Sequence, residues 1–315
     1  MSFNERNKLL LAKIESSYGV DPTPTEADNA ILTKGITRRP YGGDQISRDL
    51  DRQRMGNDHQ IVVGEQAEVT FDVELAGSGT AGTAPQFGEL LRACGFGQTI
   101  VVDTSVTYAH VSSSFESCTF YFNYDGEMQK VTGCRGTVTM NLSRGQFPML
   151  SFRFVGIYQK PTAVAMYDPT FRAITPSPVN DTNTTTHSVH SQSVVLSQFT
   201  YNPSIDLVYR NLPGYTGIDI VDRAPSGNVR FEAPALATKD FFAAVESHAG
   251  SVVEGAISVV HGPAAGDGNN IAISVPQSQL LPMDEAGEDK KRMFDIPYIA
   301  LPTDAGNDEF SLAFT

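Results

Sequence analysis

Thr119-Phe120-Tyr121-Phe122-Asn123-Tyr124 leads through Asp125-Gly126 to Gly136-Thr137-Val138-Thr139-Met140-Asn141-Leu142-Ser143. Arg144-Gly145 then turns the chain into Met149-Leu150-Ser151-Phe152-Arg153-Phe154-Val155-Gly156, and the stretch ends at Tyr158. Phe120, Phe122 and Tyr124 alternate with polar neighbours, as do Val138, Met140 and Leu142, and Leu150, Phe152 and Phe154. Period-two alternation between turn residues marks strands with one buried face. Asp125-Gly126 suits the positive φ of a tight hairpin turn, and Gly145 serves the second turn in the same way. The stretch reads as an antiparallel meander.

Other strands and two helices surround it. Glu68-Val69-Thr70-Phe71-Asp72-Val73-Glu74-Leu75 is a strand with four apolar residues on one face and Glu68, Asp72 and Glu74 on the other. Three acids on an exposed strand face are usually a solvated face, although a carboxylate pair could serve catalysis. From Pro85 to Gly95 the apolar stripe Phe87, Leu90, Leu91, Cys94 predicts one helix, with Pro85 in its first turn and Gly95 at its end. Residues 5–18 are expected as a short helix. The Pro22 and Pro24 segment is expected to be extended, making an N-terminal arm over residues 1–33.

The second half repeats the first. Asn228-Val229-Arg230-Phe231-Glu232 answers the strand at Glu68, and Phe231 lies 160 residues after Phe71. A helix at 238–246 follows, and Phe310-Ser311-Leu312-Ala313-Phe314 matches Leu150-Ser151-Phe152-Arg153-Phe154 at the same offset. Gly287-Glu288-Asp289-Lys290-Lys291 likewise echoes Gly126-Glu127-Met128-Gln129-Lys130. Ordered matches at nearly one offset indicate duplication. The expected class is mainly β: two tandem β-sandwich or half-barrel domains, each with one flanking helix, at 34–160 and 194–315. Residues 161–193, rich in Pro, Thr and Asn, are expected as a linker or surface excursion.

Composition limits the function. The net charge of −13 disfavours wrapping nucleic acid. No apolar run approaches the ~20 residues of a membrane span, and the polar start Met1-Ser2-Phe3-Asn4-Glu5-Arg6 is not a signal peptide, which points to a cytoplasmic origin. Cys94, Cys118 and Cys134 are odd in number and lack zinc spacing, so buried free thiols are expected. His187 and His190 have a metal-like spacing without a third ligand nearby, and Asp284, Glu285, Glu288 and Asp289 are mixed with Lys290, Lys291 and Arg292 as in a solvated hairpin tip. The Asn183-Thr184-Thr185 acceptor pattern has no sign of secretion beside it. No nucleophile elbow, phosphate loop or His-Glu-x-x-His occurs, so no catalytic residue, metal or cofactor is assigned.

Three stretches resemble the major tail proteins, the tail tube subunits, of long-tailed bacteriophages with non-contractile tails. They are Tyr18-Gly19-Val20-Asp21-Pro22-Thr23-Pro24 with Asp28-Asn29-Ala30-Ile31-Leu32, Ala84-Pro85 through Cys94-Gly95-Phe96, and Val131-Thr132-Gly133-Cys134-Arg135-Gly136 running to Tyr158. The resemblance implies a non-enzymatic virion protein of the tail, assembled in the host cytoplasm. Its subunits would join edge to edge around a lumen, stack as rings, and meet other tail proteins such as tape measure and terminator. DNA would pass through the lumen without specific binding.

Lys34 to Arg54 reverses the chain's acidic sign. It could dock on an acidic neighbouring copy, or be a solvated loop neutralised by its own Asp44, Asp49 and Asp51. The resemblance makes it a ring-stacking loop, with Arg38, Arg39, Arg48, Arg52 and Arg54 as candidates. Candidates for the lumen face are Glu68, Asp72 and Glu74, or else Thr137, Thr139 and Asn141. With two tube-like domains per chain, three chains would supply six units, a homotrimeric pseudo-sixfold ring. The rival is a homohexamer with its second domain outside. Other readings are a distal-tail or baseplate hub ring and a β-rich carbohydrate-binding module.

Overall fold

In the computed structural model, residues 4–172, 174–263 and 266–315 are described. The first part of the chain forms β1 Lys8–Ile14, β2 Ala30–Ile31, β3 Lys34–Ser47, β4 Gln60–Glu74, α1 Gly88–Ala93, β5 Phe96–Val101, β6 Ser105–His110, β7 Cys118–Tyr124, β8 Glu127–Ser143, β9 Met149–Tyr158 and β10 Thr162–Ala163. The second part forms β11 Thr184–Val189, β12 Gln192–Ser193, β13 Leu196–Asn202, β14 Ile205–Leu212, β15 Tyr215–Arg223, β16 Ser226–Glu232, α2 Phe241–Val245, β17 Glu254–His261, β18 Ile271–Leu280, β19 Asp284–Glu288, β20 Lys291–Ala300 and β21 Ser311–Phe314. The protein is mainly β, and all its strand pairs are antiparallel.

The meander is β7–β8–β9. Asp125 and Gly126 adopt φ of 44° and 102°, which lets β7 return directly as β8. Phe71 on β4 lies opposite Phe152 on β9, their rings stacked at 5.6 Å, and Phe120 and Phe154 close the cluster edge to face. Each such fully buried side chain contributes roughly 1.5–3 kcal/mol.

Two local readings change. The segment expected as a helix at 5–18 contains strand β1, paired with β7 from Lys8↔Tyr124 to Ile14↔Cys118. Leu9-Leu10-Leu11-Ala12 is apolar on every position, so its period does not separate helix from strand. As a strand it sends Leu10 and Ala12 into the main core and Leu9 and Leu11 into a smaller cluster with Ala30, Tyr121 and Met128. For the same reason β7 is covered on both faces. Thr119 and Asn123, expected on an open face, are buried. Thr119 Oγ donates to Glu15 and Asn123 Nδ2 donates to the Ala165 carbonyl, while Asn123 Oδ1 has no partner among the described residues.

The helices are shorter than expected. α1 covers only the middle of 85–95, with Gly95 at φ 76° just past its C-cap Cys94. α2 is capped by Asp240, whose carboxylate accepts from the Ala243 N–H.

The strand order is the same in both halves. The first runs β1–β7–β8–β9–β4–β3, and the second runs β11–β17–β18–β20–β16–β13. β10 lies on the start of β8 as β21 lies on the start of β18, and the β19–β20 hairpin occupies the place of the β8–β9 hairpin. The first half carries the extra pair β5–β6, and the second forms the separate hairpin β14–β15 where the first extends β3 and β4. Phe231 faces Phe294 as Phe71 faces Phe152.

This order corrects the matching of segments. The partner of β9 is β20 rather than 310–314, and the counterpart of 310–314 is β10. The Gly287–Lys291 hairpin answers the β8–β9 turn, not the turn at Gly126. Alternating Ser-Leu-Ala-Phe fits any half-buried strand, so sequence likeness alone chose the wrong one. Residues 184–189, inside the stretch expected as a linker, pair with β17 as β1 pairs with β7.

Candidate functional site: a polar sheet face with two open edges

The two halves meet where the far end of β8 extends beyond β7. There β13 pairs with it, Ser143↔Gln198, Leu142↔Phe199, Asn141↔Thr200 and Met140↔Tyr201. The result is one run of eight strands, β3–β4–β9–β8–β13–β16–β20–β19. Val69, Phe71, Val138, Met140, Phe152, Phe199, Val229, Phe231 and Ile296 point to one side of it, into the core. The alternate residues point to the other side.

That other side carries the candidates of both proposed lumen sets. Asp72, Ser151 and Thr139 stand in one row, Thr70, Arg153 and Thr137 in the next. The row of Glu74, Met149 and Asn141 continues through Thr200 to Asn228. Glu68-Asp72-Glu74 and Thr137-Thr139-Asn141, read from sequence as alternatives, are therefore one continuous face. It bears Glu68, Asp72, Glu74, Glu232, Asp284 and Asp295 against Lys34, Arg39, Arg153 and Arg230. Arg153 Nε lies 2.6 Å from Glu68, and Thr37 and Thr70 share a 2.6 Å hydroxyl contact.

The run ends in two edges. Among the described residues β3 bonds only to β4, and β19 only to β20. The β3 edge carries Lys34, Arg38 and Arg39, and the β19 edge carries Asp284, Glu285 and Glu288, so the two edges have opposite charge. Glu288 accepts from Ser197 Oγ at 2.9 Å and lies 3.3 Å from Arg230 and 3.4 Å from Arg144, whose guanidinium also reaches Asp289 at 2.8 Å. The turn after β19 is thus tied to the turn after β8.

The five arginines expected in one loop do not cluster. Arg38 is anchored to Glu127 at 2.9 Å and Gln129 at 3.1 Å and lies over the Phe122 ring, while Arg39 stands on the polar face opposite Glu68. Arg48, Arg52 and Arg54 occupy the connection between Ser47 and Gln60, where Arg52 pairs with Asp58.

Charge reading missed the apolar side of this β3–β4 arm: Ile46, Ile61 and Val63 are exposed. The alternation of Ile61 and Val63 was the available signal. Sequence reasoning also missed Glu15, a buried carboxylate that accepts from Ser117, Thr119, Gly19 N and Gly133 N and binds the N-terminal strand to the bend in β8.

The three cysteines and His110, His190 and His261 are buried. Cys94, Cys118 and Cys134 are free, fully buried, and have thiols pushed well up by desolvation, which opposes thiolate chemistry. His110 is driven down to about 3 by burial and the nearby Arg223 charge, and its Nε2 lies 2.6 Å from the Tyr201 hydroxyl. His190 Nε2 meets the Ser278 carbonyl at 3.1 Å. Among the described residues no three His, Cys, Asp or Glu side chains converge as a metal site, and no helix is long and apolar enough to cross a membrane.

Antiparallel sheets with a continuous polar face, and two edges that are unpaired among the described residues, define a mainly β protein. The chain belongs to the phage tail tube protein family, whose profile matches residues 5–300. It is a structural protein of the virion tail. A search of curated proteins finds no match.

Proposed function

We propose that the chain polymerises into stacked rings that form the tail tube of a non-contractile phage tail, the conduit for DNA delivery, with three chains in each ring. One observation carries this reading: the β8–β13 junction inside the chain. With Phe71 equated to Phe231 and Phe152 to Phe294, β19 takes the place of the end of β8 and β3 the place of β13. A β19 edge laid on the β3 edge of a second copy repeats the internal junction. Asn141↔Thr200 then becomes Glu288↔Arg39, a pair of opposite charge.

Three chains close the ring through alternating internal and external junctions, giving pseudo-sixfold symmetry from threefold. Closure pairs every edge, which removes the hazard of an open strand. The polar face lines the lumen in this arrangement. Its excess of carboxylates and hydroxyls repels phosphates, so DNA slides without the cation contacts that would hold it. Arg48, Arg52 and Arg54 sit at the far end of the β3–β4 arm, where they meet the next ring. Electron microscopy of the purified protein at high concentration tests the function: hollow tubes are expected, isolated rings would favour a hub protein, and stable monomers would refute both.

A further inference from the structure

The two halves differ in what they do with the hairpin that joins β3 to β4 in the first and β13 to β16 in the second. In the second half, residues 203–225 leave the sheet and form β14–β15, which folds over the first half. Ile218 N donates to the Tyr18 hydroxyl at 2.6 Å, Arg135 Nη1 donates to the Ile218 carbonyl at 2.8 Å, and Asp219 lies 3.3 Å from the same guanidinium. Tyr209 lies over Gly64, where φ is 71° and a Cβ would collide with the ring. The hairpin thus covers the bend in β8, where the β8–β9 register shifts between Thr132 and Arg135. Burial there pushes the Tyr18 hydroxyl up to about 12.

In the first half, residues 42–65 fill the same place in the chain with nearly the same length. They form the outer part of the β3–β4 arm, and Ile46, Ile61 and Val63 stand exposed on it. The second half has its own bend, Leu281-Pro282-Met283, where β18 stops and β19 begins. Leu281 and Met283 are half-buried, and no hairpin among the described residues lies over them as β14–β15 lies over Arg135.

We infer that the 42–65 arm packs its Ile46–Ile61–Val63 face on the Leu281–Met283 bend of a second copy of this chain within the same ring. The contact is the intermolecular version of the β14–β15 contact, and it rests on the three-chain ring proposed above. The occupant follows from continuity. Once β3 lies on the β19 edge of a neighbour, the next bend the arm can reach is that neighbour's, just as β14–β15 reaches the bend beside the β8–β13 junction. The arm's apolar face acts inside the ring, and only its basic tip remains for stacking.

Cysteines at both places, Ile61→Cys with Met283→Cys, test this in assembled tubes treated with a short bifunctional maleimide. The three native thiols are buried and should not react. The expected product on a denaturing gel is a ladder that ends at three chains. A ladder that runs on without limit would place the arm on a stacked ring and overturn the inference, as would crosslinks confined to single chains or none in intact tubes. A ladder ending at six would uphold the in-ring contact while rejecting the three-chain ring. If the double variant fails to assemble, hydrogen exchange on unsubstituted tubes decides. Residues 281–283 and 60–63 should both gain protection on assembly, and unchanged exchange at 281–283 would contradict the contact.

Discussion

Ile46 lies directly opposite Ile61 across the β3–β4 arm, and the two residues are 55% and 57% exposed. A cross-strand aliphatic pair usually stabilises a sheet by covering a core; this one lies outside both apolar clusters of the described residues. Replacing both residues by Thr should change the stability of the unassembled chain by no more than about 0.5 kcal/mol, as surface substitutions do. The same variant should raise the protein concentration needed for tubes several-fold. Thermal melts of dilute protein and sedimentation of assembled protein measure the two effects separately.

The internal equivalence of Phe71 and Phe231 predicts equivalent costs. Each is buried against its cross-strand phenylalanine, Phe152 or Phe294. Phe71→Ala and Phe231→Ala should each destabilise by about 3–5 kcal/mol. Denaturant unfolding checks this, and a negligible cost at Phe231 alone would contradict the matching of the two strands.

Edge pairing between copies predicts a charge swap. Arg39→Glu and Glu288→Arg should each weaken tube formation, and the double variant should recover part of it. Glu288→Arg also disturbs Arg144 and Arg230, so the informative quantity is the recovery relative to that single variant. Turbidity or sedimentation of the four proteins measures it, and no recovery would place the junction elsewhere.

Burial of His110 makes stability depend on pH. The folded imidazole binds its proton only near pH 3, whereas the unfolded one binds near its ordinary value of 6.5. Between these values the unfolded state holds the extra proton, so stability is full above pH 6.5 and falls as pH drops towards 3. The slope from this group is roughly 1.4 kcal/mol per pH unit. His190 and His261, also held below their ordinary value by burial, act in the same direction. His110→Asn loses the contact with Tyr201 and should be less stable at pH 7, but its stability should fall less steeply below pH 6.5. Melting temperatures across pH 4 to 8 test the difference in slope.

The strands and turns of 119–158 were legible because alternation and an Asp-Gly turn are local signals. The repeated strand order was legible through Phe71 and Phe231, yet the matching of the last strands was not. Half-buried strands share one pattern, and only pairing partners distinguish β20 from β21. β1 was hidden by its unbroken Leu9-Leu10-Leu11 run, which two-sided burial demands and which also suits a helix. The acidic and hydroxyl sets of the candidate face looked like rivals because residues 68–74 and 137–141 are far apart in sequence. Strand register, which unites them, is a long-range property. Arg38 read as a loop charge because its partners, Glu127 and Gln129, are about ninety residues away in sequence, on β8, three strands from β3.

Cross-sections of assembled tubes by electron cryomicroscopy test the central claim most directly. A ring of three chains, with the β14–β15 hairpin recurring at every second unit and β3 paired to β19 at three junctions, is the predicted result. Six identical chains around the axis, each carrying its second half outside the barrel wall, would contradict it.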